Sequence, residues 1–166
     1  IKKMEIELLK FQKKYITKEY ISWLNDKRLM QFSEQRYKIH TFSSCKKYLK
    51  QANTNKDLFY AIIEKSYKKH VGNIYIKKDK LNMIADIRIL IGKPNKGYGY
   101  LAWINAIKIL KKIKIRKITA GTISINKPML SIFKKSKMKF EYSKKKHFKI
   151  NNKYYDLVGY CLFPKL

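Results

Sequence analysis

The spacing of apolar and polar residues predicts an opening strand and two helices. Residues 5–11 form the strand, and Thr17 is the N-cap of a helix that ends near residue 25. Residues 25–40 are polar and irregular. A second helix, capped by Thr41 or Ser43, has an apolar stripe at helical spacing, which consists of Phe42, Cys45, Leu49 and Ala52.

Alternation then predicts three strands, of which the first two make a hairpin. They cover residues 58–64, 71–77 and 83–91, and His70 is expected in the solvated turn of the hairpin. In the third strand Ala85 and Ile87 point to one face, and Asp86 and Arg88 to the other.

The second half of the chain alternates helices with strands. An amphipathic helix passes through residues 103–110, a strand covers 115–125, and Asn126-Lys127-Pro128 opens a short helix. Residues 139–150 and 154–163 are strands on either side of a hairpin turn at Asn151-Asn152. The order β-α-α-β-β-β-α-β-α-β-β predicts an α/β fold with a mixed sheet flanked by helices.

Length and composition exclude several classes of protein. The 166 residues, 45% of them hydrophobic, suit one domain spanning 1–166, and they argue against a disordered chain. Charged residues interrupt every apolar run, so no membrane span is expected. Cys45 and Cys161 are too far apart in sequence for a zinc motif, and no metal site is expected. No secretory pattern opens the chain, and we expect a cytoplasmic protein.

The strong positive charge is weak evidence for nucleic-acid binding. The formal net charge is +29, yet only four of the 40 basic residues are arginine, the residue that most often reads bases and clamps phosphates. The lysines are spread over the whole chain, and abundant Lys, Asn, Ile, Tyr and Phe follow from AT-rich codons. The charge therefore predicts attraction of anionic ligands, and nucleic acid is a disfavoured partner.

A glycine-containing turn between a strand and a helix is the main candidate for ligand binding. Lys96-Gly97-Tyr98-Gly99 follows the strand at 83–91, and backbone N–H groups at a helix N-terminus favour an anion such as a phosphate. A tight turn without a ligand explains the glycines equally well. The pattern matches neither the Walker motif nor the Rossmann fingerprint.

Several segments together resemble the GNAT family of acetyl-CoA-dependent N-acetyltransferases. Residues 86–92 resemble its fourth strand, 96–99 the end of its pyrophosphate loop, and 123–133 its fifth strand and Asn-led helix. The resemblance is closest to the branch that acetylates ribosomal proteins and sugar amines. It implies a mixed, mostly antiparallel sheet of about seven strands flanked by about four helices.

The resemblance also implies a binding site for acetyl-CoA. Backbone groups of the fourth strand would bind the pantetheine arm, the glycine turn would hold the pyrophosphate, Asn126 would bond the cofactor between the splayed strands, and Phe133 would line the thiol end. The implied cofactor-binding residues are Ile89, Leu90, Ile91, Lys96, Gly97, Tyr98, Gly99, Tyr100, Asn126 and Phe133.

This chain departs from the family pattern in places that bear on catalysis. Pro94 and Asn95 replace the usual loop residues, and Phe133 stands where many members have a tyrosine that protonates the leaving thiolate. Asp86 is the first candidate for the base, although it is equally well explained as a strand carboxylate paired with Arg88.

Four other residues are weaker candidates for the site. Glu34 is the second choice of base, and Tyr155, or its neighbour in the strand, is a candidate acid, although a strand tyrosine is more often part of the core. Arg36 and His40 are candidate acceptor contacts. Arg36 would bind an acceptor phosphate, with a surface ion pair as the alternative.

The resemblance implies acetyl transfer to a primary amine by direct attack. The family branch, the positive charge and Arg36 favour a nucleotide-linked amino sugar as the acceptor. A protein N-terminus is the second choice, and a basic nucleic-acid-binding module that has lost catalysis on the same fold is the alternative of a different class. We expect a monomer or a homodimer without a membrane span.

Overall fold

The computed structural model describes residues 4–94 and 96–165, which form a seven-stranded sheet with helices on both faces. The strands are β1 (Ile6–Lys10), β2 (Leu58–Glu64), β3 (Lys69–Asp79), β4 (Ile84–Ile91), β5 (Lys117–Ile123), β6 (Lys139–Ile150) and β7 (Lys153–Leu162). The helices are α1 (Lys18–Asn25), α2 (Phe42–Thr54), α3 (Tyr98–Lys112) and α4 (Lys127–Lys135).

The sheet is mostly antiparallel, with the strand order β1-β2-β3-β4-β5-β7-β6. Its parallel pair is β4 with β5, which the crossover through α3 connects. The predicted fold class, a mixed and mostly antiparallel sheet flanked by helices, is confirmed. None of the described helices is both long enough and apolar enough to cross a bilayer.

Each face of the sheet has its own core. The first face packs against α3 and α4, where Trp103 and Phe133 are almost fully buried. The second packs against α1 and α2 and is rich in aromatic side chains, among them Phe11 and Trp23. The alternation in β4 divides its side chains between them, since Ile87 joins the first core and Leu90 packs on the second.

The predicted helix starts are confirmed by their capping bonds. The Thr17 hydroxyl accepts a hydrogen bond from the Tyr20 amide at 3.1 Å, and Thr41, not Ser43, caps α2 in a reciprocal capping box with Ser44. Such caps are readable in sequence because both partners lie within one helical turn.

The prediction that His70 is a solvated turn residue is wrong, because β3 begins one residue before it. The His70 ring lies among the rings of Phe11, Tyr15, Tyr20 and Trp23, with centroids 5.1–5.9 Å away. Its Nε2 atom is buried without a hydrogen-bond partner among the described residues. Burial therefore lowers the pKa of His70 to about 4, because the charged imidazolium would lose its hydration.

We expect this histidine to make the fold acid-sensitive. The unfolded chain takes up a proton near pH 6.5, whereas the folded chain resists protonation until about pH 4, so acidification favours unfolding. Between about pH 7.5 and about pH 5, His70 should reduce the free energy of unfolding by about 2 kcal/mol. Denaturant titrations of His70→Phe should show a flatter pH profile. His147→Gln, at an exposed site, is the control, and a profile of His70→Phe that matched the wild type would contradict the prediction.

Candidate active site

A gap opens in the sheet where β4 and β5 diverge. The two strands pair only over residues 84–86 and 117–119. Beyond this point β4 continues along β3 as far as Ile91, whereas β5 continues along β7 as far as Ile123. The gap therefore widens toward the C-terminal ends of both strands, and on one side α3 and α4 lie beside it.

Beyond residue 86, the edge of β4 that faces the gap pairs with no other described strand. The Gly92 amide donates to the Val71 carbonyl of β3 at 2.9 Å, and the Leu90 carbonyl also turns toward β3, close to Gly72. Since backbone groups alternate along a strand, those of Ile89 and Ile91 turn the other way, toward the gap. Of the three predicted pantetheine contacts, Ile89 and Ile91 thus have backbone groups available, while those of Leu90 belong to the β3 ladder.

The N-terminus of α3 lies next to this edge and has no side-chain cap. Gly97 is its N-cap residue, with φ of +80°, a conformation that favours glycine. Gly99 follows in the first turn, where a Cβ atom would lie 3.1 Å from Ile132 of α4 and 3.6 Å from Ile91. The glycines therefore let the first turn approach both β4 and α4, and its N–H groups are available to an anion.

The other predicted residues of the glycine turn surround this N-terminus. Lys96 is exposed, and Tyr98 and Tyr100 are half-buried in the first turn of α3. The ammonium group of Lys96 adds positive charge at the positive end of the helix dipole. Asn95 lies outside the described residues.

The two predicted residues of α4 already have partners in the protein. The Asn126 side chain accepts from the Met129 amide at 3.3 Å and donates to the Thr122 hydroxyl at 3.0 Å, so it caps α4 and joins it to β5. Phe133 is fully buried between Trp103 and Tyr160, with ring centroids 5.7 and 4.8 Å away. The Phe133 side chain therefore packs in the core, where it has no surface to offer a bound thiol.

Asp86 lies on the opposite face of the sheet, at the point where the strands part. The Thr119 hydroxyl of β5 donates to Asp86 Oδ1 at 3.0 Å, and Arg88 Nε lies 3.4 Å from Oδ2. The carboxylate thus bridges β4 and β5 and also pairs with Arg88. Its side chain is 37% exposed, so a bound amine can still reach it.

A short 3-10 helix, Glu34–Tyr37, is held against the β6–β7 hairpin on this side. The Arg36 guanidinium donates to the Ser33 carbonyl at 2.7 Å, to the Tyr37 hydroxyl at 2.6 Å and to the Lys149 carbonyl at 3.2 Å. Arg36 therefore fastens this segment to β6, a role that differs from both the phosphate contact and the surface ion pair considered from the sequence.

The remaining candidates lie on elements near this segment. His40 follows the 3-10 helix, and its backbone amide and carbonyl bond the side chain of Asn25 at the end of α1. The Glu34 side chain is exposed, with no hydrogen bond or ion pair to another described residue. Tyr155 is half-buried on β7, opposite Phe148 of β6.

One tyrosine on this face was not found from the sequence. The Tyr142 ring lies over Gly159 of β7, where a Cβ atom would be 2.1 Å from the ring, and its hydroxyl reaches toward Gly121 of β5. Gly121 and Gly159 are directly opposite each other in the sheet. Two glycines inside predicted strands were the available signal, because such glycines often mark a close approach.

The described ranges contain no cluster of three His, Cys, Asp or Glu side chains that could hold a metal ion. The arrangement instead offers an anion site at a helix N-terminus, a free strand edge and, on the opposite face of the sheet, a carboxylate. These parts suit a phosphate-containing ligand with an extended arm that lies in the gap.

Comparison with known proteins agrees with this geometry. The family model described as an acetyltransferase (GNAT) domain matches residues 13–158. Among the curated proteins no sequence matches significantly.

Solved structures of low sequence identity share the fold. A GNAT-family acetyltransferase from Bacillus anthracis is 21% identical, with a TM-score of 0.81 over 97% of this chain and 96% of that one. The microcin C7 self-immunity acetyltransferase MccE, in complex with acetyl-CoA and AMP, is 20% identical, with a TM-score of 0.81 over 96% and 93%. RimL, a ribosomal L7/L12 alpha-N-protein acetyltransferase in complex with coenzyme A, is 14% identical, with a TM-score of 0.83 over 95% and 93%.

Proposed function

Since this chain belongs to the GNAT family of acetyltransferases, we propose that it transfers acetyl from acetyl-CoA to a primary amine by direct attack. Membership makes it an N-acetyltransferase with acetyl-CoA as its donor. One structural observation supports the proposal for how this chain binds the acetyl donor. The free edge of β4 and the uncapped N-terminus of α3 meet at one gap, as binding of an extended arm and a pyrophosphate requires.

The residues of this chain fit the cofactor. The first turn of α3, with Gly97 and Gly99, would hold the pyrophosphate, and the backbone of Ile89 and Ile91 would bind the pantetheine arm as an added strand does. When bound, acetyl-CoA supplies an acetyl group activated as a thioester. A backbone N–H on the open edge of β4 can donate to the oxygen on which negative charge develops.

Asp86 has the position expected of the base. It lies where the strands part, on the face opposite α3 and α4, so an amine that entered from that face would meet the carboxylate at the gap. There it can take the proton that the amine loses. Glu34 is the second choice, because it is exposed and has no partner among the described residues, and Tyr155 is the candidate acid.

For the acceptor we favour a nucleotide-linked amino sugar. The net charge of +29 attracts anions, and MccE, which shares the fold, is described with AMP bound. A protein N-terminus is the second candidate, favoured by the likeness to RimL. Acidic protein surfaces would be attracted by the same field, so charge does not separate the two acceptors.

Calorimetric titration of acetyl-CoA, with desulfo-CoA and ATP as controls, tests the donor site. We expect micromolar binding of acetyl-CoA that survives moderate salt, with ATP much weaker. Turnover is then measured with a nucleotide-linked amino sugar and with a short peptide that has a free N-terminus. If all three nucleotides bound equally and salt abolished their binding, the proposal would be contradicted. That result would favour a basic module that collects anions.

A further inference from the structure

The structure separates the four arginines of the chain by what their guanidinium groups bind. Those of Arg36 and Arg116 donate to backbone carbonyls, of Ser33 and Lys149 and of Asn82 respectively. Arg28 lies in the exposed turn after α1. The guanidinium of Arg88 contacts Asp86 through Nε alone at 3.4 Å, and its side chain is 63% exposed. Among the described residues, both terminal nitrogens of Arg88 are thus without a hydrogen-bond partner.

Arg88 lies beside the gap, on the same face as the carboxylate of Asp86. Two residues along a strand separate their Cα atoms by about 7 Å. Asp86 marks the point where β4 leaves β5, and Arg88 comes next on this face, beyond the last β4–β5 pair. If a ligand placed its amine at Asp86, a second group a few bonds from that amine would therefore reach the guanidinium of Arg88.

The carboxylate that neighbours Tyr75, the residue opposite Arg88 in the ladder, already has hydrogen-bond partners. Asp57 accepts from the Tyr75 hydroxyl at 2.6 Å and from the Lys78 amide at 3.0 Å. Lys77 of β3 is opposite Asp86 in the ladder and adds a positive charge to the same face. The terminal nitrogens of Arg88 remain as a planar pair of donors, the geometry that binds a phosphate through two parallel hydrogen bonds.

We propose that Arg88 binds a phosphate group of the acceptor, and that the acceptor is a primary amine with a phosphate within about 7 Å of its nitrogen. This inference rests on the proposed acetyl transfer. It assigns the two ends of the acceptor to neighbouring residues of one strand. Asp86 receives the proton of the amine, and Arg88 fixes the phosphate and with it the distance to the carboxylate.

A matched pair of small amines tests the inference, namely 3-aminopropyl phosphate and 3-aminopropanol. With wild-type protein, acetyl-CoA and moderate salt, we expect kcat/KM to be at least about tenfold higher for the phosphate. Arg88→Gln should abolish this preference, and Arg88→Lys should retain part of it. Arg28→Gln is the control, because it removes another rare arginine, one that lies in the exposed turn after α1.

Binding measurements separate this inference from the proposed function. Calorimetry of 3-aminopropyl phosphate with the CoA-saturated protein needs no turnover, and we expect Arg88→Gln, but not Arg28→Gln, to weaken the binding about tenfold. Equal use of both amines by the wild type, or unchanged binding in Arg88→Gln, would overturn the role of Arg88. Failure to acetylate either amine, with Arg88-dependent binding intact, would instead contradict the proposed reaction.

Discussion

Replacing Gly97 with valine is expected to weaken acetyl-CoA binding at least about 100-fold while the protein remains folded. Gly97 has φ of +80°, which costs an L-residue roughly 1–2 kcal/mol. Apart from its two chain neighbours, no described residue has an atom within 4 Å of its Cβ position, so the substitution acts through the backbone and not through a collision. Relief of the strain would turn the N–H groups of the first turn of α3 away from the pyrophosphate.

Lys114→Val is the control for backbone strain, because Lys114 follows the other end of α3 and has φ of 60°. Both variants should lose thermal stability, measured by calorimetry, and Gly97→Val should lose more, because the lysine at 114 already bears the cost of a positive φ. Only Gly97→Val should lose affinity for acetyl-CoA, measured by titration. Wild-type affinity in Gly97→Val would show that the pyrophosphate binds elsewhere.

Asp86→Asn is expected to lower kcat by about 100-fold or more, with little change in the dissociation constant of acetyl-CoA. Asparagine still offers an oxygen to the Thr119 hydroxyl, so the bond between β4 and β5 is retained. It cannot take a proton from the amine. Steady-state kinetics measures kcat, with whichever of the two acceptors is acetylated, the nucleotide-linked amino sugar or the peptide. Calorimetric titration measures the dissociation constant of acetyl-CoA.

Thr119→Val separates the chemical role of Asp86 from its structural role. This variant removes the hydrogen bond between the strands but keeps the carboxylate. Its main effect should therefore be a lower melting temperature, with only a small effect on kcat. If Asp86→Asn turned over as fast as the wild type, Asp86 would not be the base, and Glu34 would be tested next. If Thr119→Val lost as much kcat as Asp86→Asn, turnover would depend on the hydrogen bond from Thr119 as well as on the charge of the carboxylate.

Local patterns predicted most of the elements because each depends on neighbours in sequence. The cap at Thr17 and the alternation in β4 involve partners within four residues, and both are present as expected. The Lys96–Gly99 turn was likewise recognisable, because a glycine between a strand and the helix that follows it is a local signal. The structure adds that α3 begins at Tyr98, which places Gly97 at the N-cap.

Contacts between distant segments could not be predicted from such patterns. Arg36 and Lys149 are 113 residues apart, and their hydrogen bond gives Arg36 a role that no local pattern indicated. His70 was misplaced because the four rings around it come from the segment between residues 11 and 23, which is brought near by the pairing of β1 with β2 and of β2 with β3. Gly159 is likewise explained by a distant contact, because the Tyr142 ring of the neighbouring strand packs over it and leaves no room for a Cβ atom.

By itself, the sequence of this protein determined the kinds and order of its elements, and the resemblance that pointed to an acetyl-CoA site. Periodicity and capping depend on residues within one or two helical turns, so the sequence was sufficient to predict these elements. The tertiary structure decided which groups of the site are free. It showed that the backbone of Leu90 and the guanidinium of Arg36 are engaged, while the edge at Ile89 and the fork of Arg88 are open. Hydrogen bonds between strands and loops far apart in sequence make that distinction, and they exist only once the chain is folded.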